Sequence, residues 1–429
     1  MSERTRDNLA QLALVMIVLS LVAWPIFTGQ LGQKASDHRF FHLPLVREWS
    51  STWPVVNLRD YNSATGPLYH WIMAGIAQLT GTRGGPETSP PLQFASALFA
   101  ALAVLVTYRF ARRCVAIASA FMAALALAVS PYFLGNAIWM MTDNLSLALV
   151  ALTVGSAVFM PWTPSRTLGQ GVAASLAVAT RQINLWLVAP IAIATILRSP
   201  RDRRSIVMTA IACTAVVATL ATFVLLWGGI VPPKFRGLHA SGIQPSAIGF
   251  TLTLVAAYGI CLAPAMRDGW RSLGAQPKLL IAVIALGAIV ASVGRSFASV
   301  EAGRNGGWVW RAVEHLPIIA ERSPLIVGGG ALGAVVLSAL FIQAKRVGRA
   351  SAAIVLLSAL AGFVAAHVAN AQVFQRYYDP MVLLTLVWLV AIAAPQGASS
   401  SRSVFAALAL LVMQQACFAV FVLYAPMSN

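Results

Sequence analysis

The sequence predicts an all-α, polytopic transmembrane protein, and three observations carry that prediction. Of the 429 residues, 59% are apolar and only 10% are charged, with a mean hydropathy of +0.76. A soluble domain carries roughly 25% charged residues, so this chain has too few to cover a soluble surface. Apolar runs approaching the roughly 20 residues needed to cross a bilayer recur from end to end, and basic residues gather between alternate runs, as in a chain threaded through a membrane. The net charge of +17 would suggest nucleic acid in a soluble protein. Here it is dispersed over loops, so no nucleic-acid partner is expected. Cys114, Cys213, Cys261 and Cys417 lie far apart in or beside apolar runs, without CxxC spacing, which excludes a disulfide framework and leaves them as packing residues.

The first apolar run, 9–27, is too long for a signal-peptide core and ends in Thr28-Gly29-Gln30, so it reads as an uncleaved first span. Further spans are predicted at 92–112, 114–133, 144–161, 169–181, 183–197, 205–231, 246–265, 279–294, 324–343, 352–370, 380–394 and 404–425, punctuated by charges, glycines and prolines. That makes about 13 spans. The fifth and sixth are short and separated only by Arg181-Gln182, so 169–197 reads either as two short spans or as one kinked span. With the N-terminus cytoplasmic, inner segments hold 17 basic residues against 4 acids, and outer segments 13 against 9. The positive-inside rule favours this orientation.

The whole of 1–429 reads as one integral membrane domain whose inner loops are short. Two outer loops are long, 28–91 and 295–323, and loops of that length are where a site can be built. Within the first, the stretch from Gly66-Pro67 to Gln78 predicts a short interfacial helix, with Pro67 at a permitted early position and Trp71 suited to the headgroup level.

Polar chemistry is concentrated at the opening of that first loop, Ser36-Asp37-His38-Arg39-Phe40-Phe41-His42-Leu43-Pro44, followed by Glu48 and Asp60. A carboxylate held at the membrane surface and partly desolvated can take a proton from a hydroxyl, which makes Asp37 the candidate base. The alternative is that Asp37 caps a helix beginning near Phe40. His38 and His42, four apart, could share a helix face as metal ligands, but no third ligand stands at a recognised spacing. Other polar residues mark membrane boundaries: Asp143-Asn144, Arg181-Gln182-Ile183-Asn184, Lys234, Arg236 and His239 after Gly228-Gly229, and Arg376-Tyr377-Tyr378-Asp379-Pro380. Charges at such depth are costly and are candidates for function. Arg181 and Arg376 suit bidentate contact with phosphate, Asp143 suits a helix N-cap, and the tyrosine pair suits an aromatic belt.

These same residues carry a resemblance to the GT-C superfamily of membrane glycosyltransferases, and within it to the dolichyl-phosphate-glucose alpha-1,2-glucosyltransferases of the eukaryotic endoplasmic reticulum. The matching pieces are Asp37 with Phe41-His42-Leu43-Pro44, Thr65-Gly66-Pro67-Leu68-Tyr69, Arg181-Gln182-Ile183-Asn184, Gly228-Gly229-Ile230-Val231 with His239, and Arg376-Tyr377 with Pro380. Three departures stand out, one being Ala64-Thr65-Gly66-Pro67 where the family reads Thr-Thr-x-Pro-Gly. His38 occupies the place of the family's second acid, and one residue is inserted before His42-Leu43-Pro44. The resemblance implies a GT-C fold and an inverting transfer of a glucose-like hexose from a polyprenyl-phosphate donor to a glycan or glycolipid acceptor. Asp37 would be the base, with His38, His42, Glu48, Asp60, Arg181, Gln182, Asn184, Arg236, His239, Arg376 and Tyr377 as substrate contacts. A phosphate leaving group can be stabilised by arginine, so no obligatory metal or other cofactor is expected. Membrane lipids are the remaining partners, and an extracytoplasmic site on a bacterial plasma membrane is expected. The alternatives are a polysaccharide ligase or polymerase with a diphosphate-linked donor, and a transporter or flippase of lipid-linked sugar.

Overall fold

In lipid every backbone polar group must be satisfied within its own segment or by protein around it, so apolar runs become helices. The computed structural model describes residues 1–28, 36–82, 89–199, 202–237, 242–296, 305–370, 372–395 and 397–424. Its helices are α1 (Glu3–Thr28), α2 (Leu43–Ser50), α3 (Leu68–Thr80), α4 (Pro90–Ala111), α5 (Ile117–Ala128), α6 (Pro131–Ile138), α7 (Asp143–Phe159), α8 (Pro164–Thr180), α9 (Val188–Arg198) and α10 (Arg203–Trp227). These are followed by α11 (Ser246–Gly259), α12 (Arg267–Gly274), α13 (Pro277–Ser292), α14 (Trp308–Glu314), α15 (Pro324–Arg346), α16 (Ala350–Val368), α17 (Gln375–Ala393) and α18 (Ala398–Ala419). The protein is an α-helical, multi-pass membrane protein.

Every predicted run contains a helix, yet among the described residues only eight helices are long and apolar enough to cross a membrane. A ninth is added if α5 and α6, bent by 65°, form one broken span. The expected count of about 13 also includes shorter apolar helices, among them Asp143–Phe159 and Pro277–Ser292, which fall short of that length. Helix α7, 17 residues long, is buried around most of its circumference, from Asn144 to Val158.

The chain divides into two compact units, Met1–Thr107 with Ala128–His239 and Gln415–Asn429, and Tyr108–Leu127 with Ala240–Gln414. In the first unit, polar contacts settle the reading of 169–197. Asp143 at the start of α7 pairs with Arg181 just after α8, and Asn184 donates to Ser146 Oγ at 2.7 Å. Arg198, at the end of α9, donates to the carbonyls of Met160 (2.7 Å) and Val158 (2.6 Å) at the far end of α7. The chain therefore reverses at Arg181, whose φ of −147° and ψ of 115° are extended, and 169–197 is two arms rather than one kinked span. Boundaries that the sequence places on one side of the membrane meet at one end of this unit.

The first loop docks on that same end. Helix α2 is sandwiched: Leu43 and Val46 pack with Tyr69, Met73, Leu92, Met140 and Leu145, while Leu45 and Trp49 pack with Tyr61, Ala74, Phe223 and Trp227. The Gly66 N–H donates to the Thr180 carbonyl at 2.9 Å. A Cβ on Gly66 would stand 2.1 Å from the Ala179 carbonyl oxygen, so only glycine permits this approach. Helix α3 begins directly afterwards, with Pro67 as its N-cap.

In the second unit, small residues bring helices together, as is usual where lipid supplies no hydrophobic drive between them. A Cβ on Gly333 of α15 would lie 2.1 Å from the Leu252 carbonyl oxygen of α11. Buried Gln343 adds polar cohesion, donating to the carbonyls of Ala265 (2.6 Å) and Ala393 (3.2 Å) and accepting from the Gly269 N–H (3.2 Å). The second long loop returns to α17 through a two-residue parallel pairing, β1 (Asn305–Gly306) with β2 (Val373–Phe374). Trp310 Nε1 donates to the Val373 carbonyl at 2.8 Å, and the Val309 N–H donates to Gln375 Oε1 at 3.3 Å.

The Gly66 contact yields a stability prediction. Gly66→Ala should destabilise the protein by about 1–3 kcal/mol through overpacking against backbone, read as a lowered Tm in detergent or nanodiscs. Gly169→Ala, where an added Cβ meets nothing within 4 Å, should leave Tm unchanged or raise it.

Candidate functional site

The segment opening the first loop is already helical at Asp37, whose φ of −61° and ψ of −43° are helical and whose side chain makes no capping hydrogen bond. Asp37 is therefore not the N-cap of a helix starting near Phe40. The helix runs over 36–50 and contains a π turn at His38–His42. A π turn takes one residue more than an α turn. Single π turns of this kind are frequent at functional sites.

The two histidines of the turn are held by different partners. The Met140 N–H donates to His38 Nδ1 at 3.2 Å, and the His38 ring lies 5.1 Å from Trp139. His42 Nδ1 meets His70 Nε2 at 2.7 Å, His70 Nδ1 meets the Tyr61 hydroxyl at 2.7 Å, and Tyr61 donates to the Gly66 carbonyl at 2.8 Å. Burial, reinforced by the neighbouring His42 imidazole, holds His70 well below the ordinary histidine range. Burial also pushes the Tyr61 phenol far above the ordinary tyrosine range. Both groups are thus neutral at working pH. Among the described residues no group of three or more His, Cys, Asp or Glu side chains could hold a metal.

Arg181, Gln182 and Asn184 gather at the reversal after α8. The Arg181 guanidinium pairs with Asp143, which sits in the first turn of α7 behind the N-cap Thr142 rather than capping it. Gln182 reaches the Ala64 carbonyl at 3.4 Å, and Asn184 also donates to the Ala177 carbonyl at 2.9 Å. The segments 64–67 and 180–184, distant in sequence, are therefore in direct contact. Glu48 and Asp60 are exposed, and Asp60 accepts from Asn57 Nδ2 at 2.7 Å. The Arg236 guanidinium donates to the Trp227 carbonyl at the end of α10, beside Gly228 at φ 67°. A cation there satisfies an orphan carbonyl and the negative end of the helix dipole. His239 lies outside the described residues.

Arg376 and Tyr377 belong to the second unit, in the first turn of α17. The guanidinium donates to the Tyr377 hydroxyl at 2.9 Å and lies over the rings of Phe374 (5.6 Å) and Tyr377 (4.9 Å). Tyr377 is thus a partner of the arginine rather than merely a belt residue. Asp379 is buried and accepts hydrogen bonds from Tyr258 and, at 3.4 Å, from Gln375.

Sequence reasoning missed Tyr61 and His70. The available signal was periodicity: His70 falls on the buried stripe of α3 with Met73, Ala74 and Ala77, and a polar residue on an apolar face requires a partner.

Residues 64–227 match the family model described as dolichyl-phosphate-mannose-protein mannosyltransferase. That match covers less than half of the chain. The matched segment contains the Gly66 turn, the Asp143–Arg181 pair and Asn184; Asp37 precedes it. Among solved structures, similar chains include apo ArnT from Cupriavidus metallidurans, at 15% identity and TM-score 0.44, over 91% of this chain and 78% of that one. The apo Archaeoglobus fulgidus oligosaccharyltransferase is similar at 16% identity and TM-score 0.48, over 95% and 56%. The S. cerevisiae protein O-mannosyltransferase Pmt1-Pmt2 complex, bound to its sugar donor, is similar at 20% identity and TM-score 0.40, over 57% and 36%. No curated protein sequence matches this chain.

The depressed His70 gives a pH prediction with a definite sign. Unfolded, His70 binds a proton below its ordinary value of 6.5, whereas folded it stays neutral further down. The unfolded state then holds more protons, so stability should fall as pH drops below about 6.5. Thermal melts at pH 7.5 and 5.5 should show a smaller acid loss for His70→Gln than for the wild type; equal losses would assign the acid sensitivity elsewhere.

Proposed function

We propose that this protein is an inverting glycosyltransferase of the GT-C type that moves a glucose-like hexose from a polyprenyl-phosphate donor to a glycan or glycolipid acceptor. The reaction takes place on the extracytoplasmic face of a bacterial plasma membrane, with the N-terminus cytoplasmic. The observation that carries this reading is the placement of Asp37. It is a half-buried carboxylate without a capping role, one residue before a π turn whose histidines are bonded into the matched segment.

In the reaction Asp37 takes the proton of an acceptor hydroxyl, whose oxygen forms the new bond to the anomeric carbon. The bond from that carbon to the phosphate oxygen breaks, and polyprenyl phosphate leaves with the electron pair. Configuration inverts, and nothing covalent links sugar to protein. The phosphate departs already charged, so the protein's contribution there is electrostatic. Arg376 is the cation assigned to it, because its charge persists at any working pH and its planar fork suits phosphate. Arg181 is the lesser candidate, since its guanidinium is already paired with Asp143.

Asp37→Asn keeps the shape and should lower turnover by roughly 10²- to 10⁴-fold, measured in nanodiscs with a polyprenyl-phosphate hexose donor and corrected for folded protein. Near-normal turnover would sink this assignment. The donor itself separates the alternatives: a monophosphate-linked monosaccharide should serve, and a diphosphate-linked glycan should not. Activity should also survive EDTA; complete loss restored by a divalent ion would instead require metal chemistry.

A further inference from the structure

Counting donors and acceptors assigns the hydrogen bonds around His42 one direction once Tyr61 gives its hydrogen to Gly66. Tyr61 has a single hydroxyl hydrogen, and the Gly66 carbonyl, which can only accept, takes it at 2.8 Å. Tyr61 can then meet His70 Nδ1, at 2.7 Å, only as an acceptor, so that nitrogen carries the His70 hydrogen. The buried, neutral His70 is left with Nε2 as an acceptor, and the His42 Nδ1–H must donate to it at 2.7 Å. The order is therefore His42 to His70 to Tyr61 to Gly66. Around His70 stand the edges and faces of Trp49, Tyr61, Tyr69 and His42. Of these, Tyr61, Tyr69 and His42 titrate. Burial raises Tyr69 as well as Tyr61, so both stay neutral phenols.

One end of this string is the last residue of the π turn. The other is the Gly66 peptide, itself bonded to Thr180 at 2.9 Å. A π turn has poorer intrinsic stability than the α-helix around it and persists where surroundings hold it. If it relaxed to α geometry, everything before it would turn by one residue, about 100°, and Asp37 would leave its present face. We propose that His70 is a positioning residue: its string to Tyr61 and Gly66 clamps the π turn at His42 and so sets the direction in which Asp37 projects. Its consequence for turnover rests on the role proposed above for Asp37.

The test has two independent readouts. In nanodiscs with 15N-labelled histidine, His42 and His70 should both appear as Nδ1–H tautomers, assigned by loss of signal in His42→Gln and His70→Gln. Tyr61→Phe, which removes one oxygen and keeps the ring, should release both to mixed tautomers. In kinetics, Tyr61→Phe and His70→Asn should lower kcat by about 10- to 100-fold, as displaced catalytic groups do, with the donor KM unchanged. Rescue is the distinguishing experiment. Deleting Phe40, which is 59% exposed, removes the extra residue and leaves an ordinary α-helix that keeps its shape unclamped. In that background His70→Asn should no longer lower kcat. An undiminished His70→Asn effect after the deletion would overturn the clamp, as would wild-type tautomers and kcat in Tyr61→Phe. If the deletion protein does not fold, Tyr61→Phe alone decides. Should Asp37→Asn retain turnover, the proposed reaction fails, while the tautomer spectra still judge the string.

Discussion

The peptide of Gly66 is bonded on both sides, and the first unit is organised around it. Its N–H is committed to the end of α8 and its carbonyl to Tyr61. The first bond requires backbone to approach backbone so closely that any side chain at residue 66 collides with the Ala179 carbonyl. The second begins the histidine string. A glycine without side-chain chemistry thus connects the loop that carries Asp37 to the reversal that carries Arg181, and α2 fills the space between them with Leu43, Leu45, Val46 and Trp49.

The polar residues of this region are bonded to one another because partly desolvated groups have no cheap alternative. Arg181 and Asp143 have side chains only 17% and 12% exposed, and an unpaired charge so placed would cost several kcal/mol. Pairing them also holds the start of α7 to the end of α8, with Asn184 and Ser146 alongside. The same interaction therefore has a topological consequence: it closes the hairpin that makes 169–197 two arms. Arg198 does the equivalent at the opposite end by taking the carbonyls of Val158 and Met160.

The second unit solves the same problem with glycines and amides. Gly333 permits α15 to touch the α11 backbone, and Gln343 uses its donors and its acceptor on three surrounding backbone groups. At the start of α17, Gln375 accepts from the second long loop and donates toward buried Asp379. Arg376, one residue on, is held over Phe374 and Tyr377. A short outer loop segment and an arginine are thereby ordered by side chains within one turn of each other.

The amino-acid sequence by itself determined the class of molecule, the order of its helices, and where polar chemistry would gather, because a shortage of charge and the period of apolar runs are properties that need no folding partner. Asp37, the Gly66-Pro67 turn and Arg181-Gln182-Ile183-Asn184 were all legible in this way. What only the tertiary structure decided is which of these residues meet. Asp37 and Asp143 both read as helix caps locally, since an acid before an apolar run has that pattern, yet one lies inside a continuous helix and the other pairs with an arginine 38 positions away. The hydrogen bond from Arg236 to the Trp227 carbonyl at the end of α10 was likewise not legible in the sequence. His70 was hidden because its role depends on Tyr61 and His42, and hydrogen-bond direction is set by partners that only folding brings within 2.7 Å.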